Sequence, residues 1–199
     1  MIGKSFARGK SVLAVKVYID QGHNPTNPNA GAEGEGFREQ DLVYEIGVRT
    51  AAMLRANGLE VRLSRPTPDT QLGTSNSSSL AARVNDANAW GADVFVSLHA
   101  NASEIRSASG SEAYVFRLSS PAYALAENIL VQLNEATGLE NRGVYARTNL
   151  YVLRRTRMPA ALIELGFITN PQDAALMAYQ PQLFARGVAN GVLAYLGLF

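Results

Sequence analysis

The stretch Val94-Phe95-Val96-Ser97-Leu98-His99-Ala100-Asn101 restricts this chain more than any other. An apolar run with β-branched members reads as a buried strand, and the histidine at its C-terminal edge stands where open α/β sheets place their chemistry. The chain has two histidines. The other, His23, comes in the same context, because Val15 to Ile19 reads as strand, Asp20-Gln21-Gly22 turns the chain, and the imidazole follows. A third apolar run, Ala160-Ala161-Leu162-Ile163, leads straight into Glu164. Three strands thus deliver two imidazoles and a carboxylate toward one rim.

The rest of the chain supplies the layers that such a sheet needs. Val12 to Ile19 is the first predicted strand, and Asp20 to Gly36 is a loop rich in Gly, Asn and Pro, long enough to be functional. Phe37 to Ala56 has helical apolar spacing and is stopped by Asn57-Gly58. Leu59 to Leu63 predicts a short strand, Ser64 to Ser79 a polar loop, and Leu80 to Trp90 a helix closed by Gly91. Beyond the Val94 strand, Ser103 to Ser109 is a short polar connection and Glu112 to Leu118 alternates as a strand. Ser120-Pro121 opens a helix that ends near Gly138. Asn141 to Thr148 reads as irregular, Leu150 to Leu153 as a short strand, and Arg154 to Pro159 as a connector with three arginines. Asn170-Pro171-Gln172-Asp173 is a helix start, and a final helix runs from Gln182 to Leu196. Strands alternating with helices predict one three-layer α/β domain over 12–199, with a largely parallel sheet and residues 1–11 as an N-terminal extension.

Composition narrows the chemistry. A formal net charge of +1, with the signs interspersed, gives no footprint for nucleic acid or for an anionic membrane surface. No run approaches a membrane span, and Met1 to Lys10 has glycines and charges where a signal peptide needs an apolar core, so no signal peptide is expected. Without cysteine there is neither a disulfide framework nor a thiolate zinc site, so any metal needs His and carboxylate ligands.

A lone histidine at a strand end is usually structural, but two in the same context, each beside a small residue (Gly22, Ala100), point to a metal. Two imidazoles and one carboxylate around an open fourth position make a catalytic zinc arrangement. Glu39 is the preferred carboxylate because the first turn of a helix holds it, whereas Glu33 and Glu35 lie among glycines. It can also be read as a carboxylate favoured by the helix dipole. Glu164 at the edge of an apolar strand has no obvious partner, and a general base explains it better than a structural role does. Asp20 and Asn101 flank the histidines and are candidates to orient them or to cap the turns. Arg83 reads as a surface or structural ion-pair residue. Arg154, Arg155 and Arg157 are either a solvated cluster or readers of substrate carboxylates.

Five ordered motifs then bring a family forward. Ile19-Asp20-Gln21-Gly22-His23, Phe37-Arg38-Glu39-Gln40-Asp41, Ser97-Leu98-His99-Ala100-Asn101, Gly110-Ser111-Glu112, and Val152-Leu153-Arg154 through Pro159 to Glu164-Leu165-Gly166-Phe167-Ile168-Thr169-Asn170 resemble those of the zinc-dependent N-acetylmuramoyl-L-alanine amidases, the cell-wall hydrolases of bacteria and phages (amidase type 3). The resemblance covers nearly all of the chain after Val15. It implies a six-stranded, mostly parallel mixed sheet with helices on both faces. It also implies one zinc per chain on His23, Glu39 and His99, and Glu164 as the catalytic glutamate. Asn101, Glu112 and Arg154 are candidate substrate contacts. The implied reaction, on peptidoglycan at the cell wall, is cleavage of the amide between N-acetylmuramic acid and L-alanine by a monomer. A zinc carboxypeptidase, another amidohydrolase and a non-catalytic wall-binding module are the alternatives. The family usually has Pro where this chain has Gln21 and Gly where it has Asn24. Relatives acting in cell division insert an occluding helix between the second histidine motif and the Gly-x-Glu strand. Here that interval is only Ala102 to Ser109, so an open site is expected.

Overall fold

The structure, a computed structural model, describes residues 14–199, so the expected extension over 1–11 and the first residues of the Val12 strand lie outside the described residues. In chain order the elements are β1 (Lys16–Gln21), β2 (Glu33–Gly34), β3 (Phe37–Arg38), α1 (Glu39–Ala56), β4 (Glu60–Leu63), α2 (Asn76–Trp90) and β5 (Val94–Asn101). There follow β6 (Ser111–Val115), α3 (Pro121–Thr137), β7 (Asn141–Ala146), α4 (Tyr151–Arg155), β8 (Ala160–Phe167), α5 (Pro171–Tyr179) and α6 (Pro181–Tyr195).

Six strands form one sheet in the order β4-β1-β5-β8-β6-β7. The first four are mutually parallel, β6 is antiparallel to β8, and β7 is parallel to β6. One face is closed by α1, α3 and α6, whose Leu42, Ile46, Ile129, Leu133, Phe184 and Val188 pack on Ile19, Val96, Leu98 and Ile163. α6 lies hard against α3, where a Cβ on Gly191 would stand 2.3 Å from the Ile129 Cα; only glycine allows the two backbones to come this close. The other face carries α2 and α4, with Val84, Ala87, Val152 and Leu153 over Tyr18, Phe95 and Leu162. This is the predicted three-layer domain with helices on both faces.

Four local expectations need correction. Asn141 to Thr148 is not irregular: Asn141–Ala146 forms the edge strand β7, with a register shift opposite Ser111 to Ala113 that takes up Gly143 at φ 99°. Leu150 to Leu153 is not a strand; it caps and begins helix α4, because its short apolar run finds α2 rather than a sheet edge. The loop from Asp20 contains the small β2–β3 hairpin, so α1 starts at Glu39 instead of Phe37. α2 starts at Asn76, four residues before Leu80, because Ser75 and Ser78 form a capping box whose hydroxyls satisfy the first free N–H groups.

Candidate metal centre

His99 projects from the C-terminal end of β5 and His23 follows the C-terminal end of β1, neighbouring parallel strands. Gly22 lets the two approach: a Cβ there would lie 2.6 Å from His99 Cε1 and 2.7 Å from the Leu98 carbonyl. Its N–H donates to that same carbonyl at 3.0 Å. The next residue, His23, sits in the left-handed region at φ 65°, a conformation that surrounding contacts must hold.

Arg83 from α2 supplies those contacts. Its Nη1 donates to Asp20 Oδ1 and to the Gln21 carbonyl, both at 2.6 Å, and its Nη2 donates to the His23 carbonyl. Arg83 and Asp20 are each 1% exposed, so this is a buried ion pair. The other Asp20 oxygen accepts from Ser97 Oγ at 2.7 Å. Burial pushes the Asp20 carboxyl up, but the Arg83 charge beside it and the bonds from Arg83 and Ser97 hold it below the usual range. The two departures from the family pattern are spent here. Gln21 bonds to the backbone of Arg65 and to Ser64 Oγ, while the Asn24 amide bonds to the carbonyls of Pro28 and Leu72. They tie the His23 loop to the segment after β4 by side-chain bonds.

Glu39, the first residue of α1, brings its Oε1 to 3.1 Å from His23 Nε2 and 3.0 Å from His99 Nδ1. The two ring nitrogens are 3.1 Å apart. Its carboxylate is fixed from the backbone side as well, with Oε1 accepting the Ala100 N–H and Oε2 the Ala32 N–H. Burial alone would raise the Glu39 carboxyl, yet the hydrogen bonds and charge of the two histidines hold it far below the carboxylate range. Glu33 and Glu35 lie on the hairpin instead, Glu35 paired with Arg106.

A cation suits this trio. Three donor atoms, each about 3 Å from the other two, converge on one point. A tetrahedral zinc with bonds of about 2.0–2.1 Å needs ligand atoms about 3.3 Å apart, close to the observed triangle. His23, Glu39 and His99 could therefore hold a metal.

Glu164 occupies the next place along the rim. On β8 it pairs in register with His99 on one side and with Glu112 of β6 on the other, so the three side chains share one row of one face. Its Oε2 is buried without a hydrogen-bond partner. Burial, with Glu39 and then Glu112 adding their negative charge, pushes the Glu164 carboxyl up to about 8.

The remaining expected site residues divide. Asn101 Nδ2 donates to Glu112 Oε1 at 2.9 Å, which brings these two together beside Glu164. Neither Asp20 nor Asn101 bonds a histidine, contrary to the orienting role considered for them, because Arg83 and Ser97 occupy the first and Glu112 the second. Arg154 is exposed on α4, and its side chain makes no ion pair among the described residues. The start of that helix does reach the site: Leu150, Tyr151 and Val152 join Leu80, His23 and His99 around a cavity of about 130 Å³. The sequence reading missed this wall, and it missed Tyr114, which alternation places two residues from Glu112 on the same face.

An α/β sheet with a His-Glu-His cluster at its C-terminal edge and a glutamate beside it with one unpartnered oxygen defines a class of α/β domain with a candidate metal site. The chain belongs to the N-acetylmuramoyl-L-alanine amidase family, whose model matches residues 17–194. It is 35% identical over 188 residues to the N-acetylmuramoyl-L-alanine amidase LytC of Bacillus subtilis, covering 92% of this chain and 36% of that protein. It is 36% identical over 183 residues to the sporulation-specific N-acetylmuramoyl-L-alanine amidase of the same organism, covering 89% of this chain and 67% of the relative. Among solved structures, the catalytic domain of CwlV, an N-acetylmuramoyl-L-alanine amidase of Bacillus (Paenibacillus) polymyxa, superposes with a TM-score of 0.81 at 33% identity, covering 93% of this chain and 99% of that one. The chain thus spans about a third of LytC and nearly all of an isolated catalytic domain.

Proposed function

We propose that this domain hydrolyses peptidoglycan at the cell wall, cutting the amide between the lactyl group of N-acetylmuramic acid and L-alanine, with zinc held by His23, Glu39 and His99. The observation that carries this reading is the row His99, Glu164, Glu112. It sets a half-buried carboxylate, one oxygen of which is enclosed without a partner, next to three converging metal-donor atoms. When bound there, zinc supplies Lewis-acid polarisation of the scissile carbonyl and activation of water. Glu164 does the proton work. Its carboxylate takes the proton of the attacking water as the C–O bond forms, then delivers it to the departing amine as the C–N bond breaks. A carboxylate whose buried oxygen has no hydrogen-bond partner, set in the row beside the metal donors, is free to take up and release a proton. Asn101, Glu112 and Arg154 are proposed as substrate contacts, the first two as a bonded pair beside the base and Arg154 on the face of α4 that begins at Leu150.

Digestion of purified peptidoglycan by the zinc-loaded protein, followed by mass analysis, tests the reading. Free muramic lactyl groups with new L-alanine amines are expected. Release of terminal amino acids would instead mean a carboxypeptidase, and binding without cleavage a wall-binding module.

A further inference from the structure

We propose that the thinly covered sheet face over β6 and β7, next to Glu164, is the subsite for a carboxylate on the peptide arm of the substrate. Arg147 reads the charge and Tyr114 forms the floor; the proposal rests on the amidase reading for the position of the scissile bond.

The face that bears His99 and Glu164 also bears Phe95 and Ser97 of β5, Leu162 of β8, and Glu112 and Tyr114 of β6, by the two-residue period of strands. Helices α2 and α4 cover it over β1, β5 and β8. The cover thins at β6, where Tyr114 and Phe116 are only partly buried at the margin of that cluster, while α3 packs against the opposite face of β6 and β7. What is left open is a shelf running sideways from the catalytic row. Tyr114 is half-buried in it, with the ring of its register partner Tyr145 at 6.4 Å and the Arg147 guanidinium 5.0 Å over its own ring.

The charges on the shelf are unequal. Glu112 accepts from Asn101, from the Tyr114 hydroxyl, and from Arg142 Nε at 3.1 Å, so its carboxylate is satisfied and its charge is matched by Arg142. Arg142 is further engaged by the Ser109 carbonyl and lies over the Phe167 ring. Arg147 makes no ion pair among the described residues and is exposed. A guanidinium held over a ring and left without a counter-charge is ready for a carboxylate ligand.

The reach is right for the peptide arm. Tyr114 is the diagonal cross-strand neighbour of Glu164, a separation of about 7–8 Å, and an extended chain advances about 3.4 Å per residue. A peptide leaving the scissile amide along β6 therefore brings the residue after L-alanine over the Tyr114 ring, with its carboxylate at Arg147. The sugar arm, which is neutral, has no use for the charge.

The test uses two muramoyl peptides that differ only in whether the residue after L-alanine carries a free carboxylate or a carboxamide. The zinc-loaded protein should prefer the acid by about fivefold in kcat/KM, through KM, with the preference shrinking as salt rises. Arg147→Gln should bring the ratio near one, Arg147→Lys should retain part of it, and Arg154→Gln, which as a general substrate contact weakens both peptides alike, should keep it. A preference that survives Arg147→Gln, or that disappears in Arg154→Gln instead, overturns the assignment, as does no preference in the wild type. Equilibrium binding of the same two peptides to Glu164→Gln protein separates the two readings. If the wild-type protein cleaves neither peptide, but the acid binds Glu164→Gln protein more tightly and adding Arg147→Gln abolishes the difference, the amidase reading fails and the subsite stands. Equal binding of the two sinks the subsite whatever hydrolysis shows.

Discussion

Glu39 and Glu164 stand on the same rim, yet their surroundings treat them in opposite ways. Both oxygens of Glu39 accept backbone N–H groups, and two imidazoles crowd one of them, so its charge is stabilised despite burial. Glu164 is also enclosed, but its Oε2 has no partner and the nearest charges are negative. On the side of the site built from β1, β5 and α1 both Glu39 oxygens are bonded and the Arg83–Asp20 pair is buried behind them, although His23 Nδ1 and Arg83 Nε are buried without a partner. The side built from β8 and β6 keeps one carboxylate unsatisfied. A ligand must keep a fixed position and charge, whereas a base must exchange a proton, and the two environments differ in that respect.

The sharpest way to break the contrast is at the Glu39 side. His99→Ala removes one of three donors, and the variant should emerge from purification without zinc and without measurable turnover, as metal analysis and peptidoglycan digestion would show. Full metal content in that variant would mean that the ion sits elsewhere. On the other side, Glu164→Gln fills the same volume but cannot accept a proton. It should retain zinc while turnover falls by about 10²–10⁴-fold. Activity within a few fold of wild type would reduce Glu164 to a structural residue. The same variant tests the opposite pKa shifts. Because the Glu164 pKa is raised, metal-free native protein binds a proton that the unfolded chain has released, so this group costs stability as pH rises from about 4.5 to about 8. Glu39, shifted down, contributes stability above its unfolded pKa and loses it as pH falls. Unfolding of the metal-free protein across neutral pH should therefore show a falling contribution that Glu164→Gln removes, and an unaltered slope would speak against the raised pKa.

Next in size is the support behind the Glu39 side. Arg83→Met leaves Asp20 buried without its counter-charge and frees the carbonyls of Gln21 and His23, so a loss of about 3–5 kcal/mol in unfolding free energy is expected. Asp20→Asn combined with Arg83→Met should recover part of it. Chemical denaturation measures both, and a single-variant loss under about 1 kcal/mol would mean that the pair is not what holds the loop.

Sequence showed the strands of this rim better than its periphery, for physical reasons. Val94 to Asn101 and the run into Glu164 are buried on both faces, so composition alone marks them, and the two small-residue–histidine contexts mark the rim. Asn141–Ala146 was hidden because an edge strand with a bulge and Gly143 has neither a continuous apolar run nor clean alternation. Leu150 to Leu153 was misread because four apolar residues fit either period, and only the packing of Val152 and Leu153 beneath α2 decides. Arg83 was legible as an ion-pair residue but not as a clamp on His23, since its partners lie about sixty residues away in sequence and two of them are main-chain carbonyls. Tyr114 and Arg147 are separated by a whole helix, and only the parallel pairing of β6 with β7 brings them together.

The smallest expected effect concerns the segment that would have to move if the site were plugged. Between β5 and β6 the chain from Ala102 to Ser109 forms no helix. It is pinned away from the metal ligands: Ser103 N–H donates to Thr169 Oγ1, the Arg106 carbonyl accepts from Asn170, its guanidinium pairs with Glu35, and Ser109 bonds Asp173. These anchors lie on the β2–β3 hairpin, on the turn after β8 and at the start of α5, at the periphery of the rim. Its one large apolar side chain, Ile105, is 68% exposed and so is not docked over anything. A plug would need that side chain seated in the site and would release activity when it is cut back. Here Ile105→Ser should change turnover by less than about twofold, as a surface substitution does. The zinc-loaded domain should digest accessible peptidoglycan without a helper. A large rise in activity from Ile105→Ser, or negligible activity that a partner protein restores, would show that both sides of the rim are held closed by a contact absent from this structure.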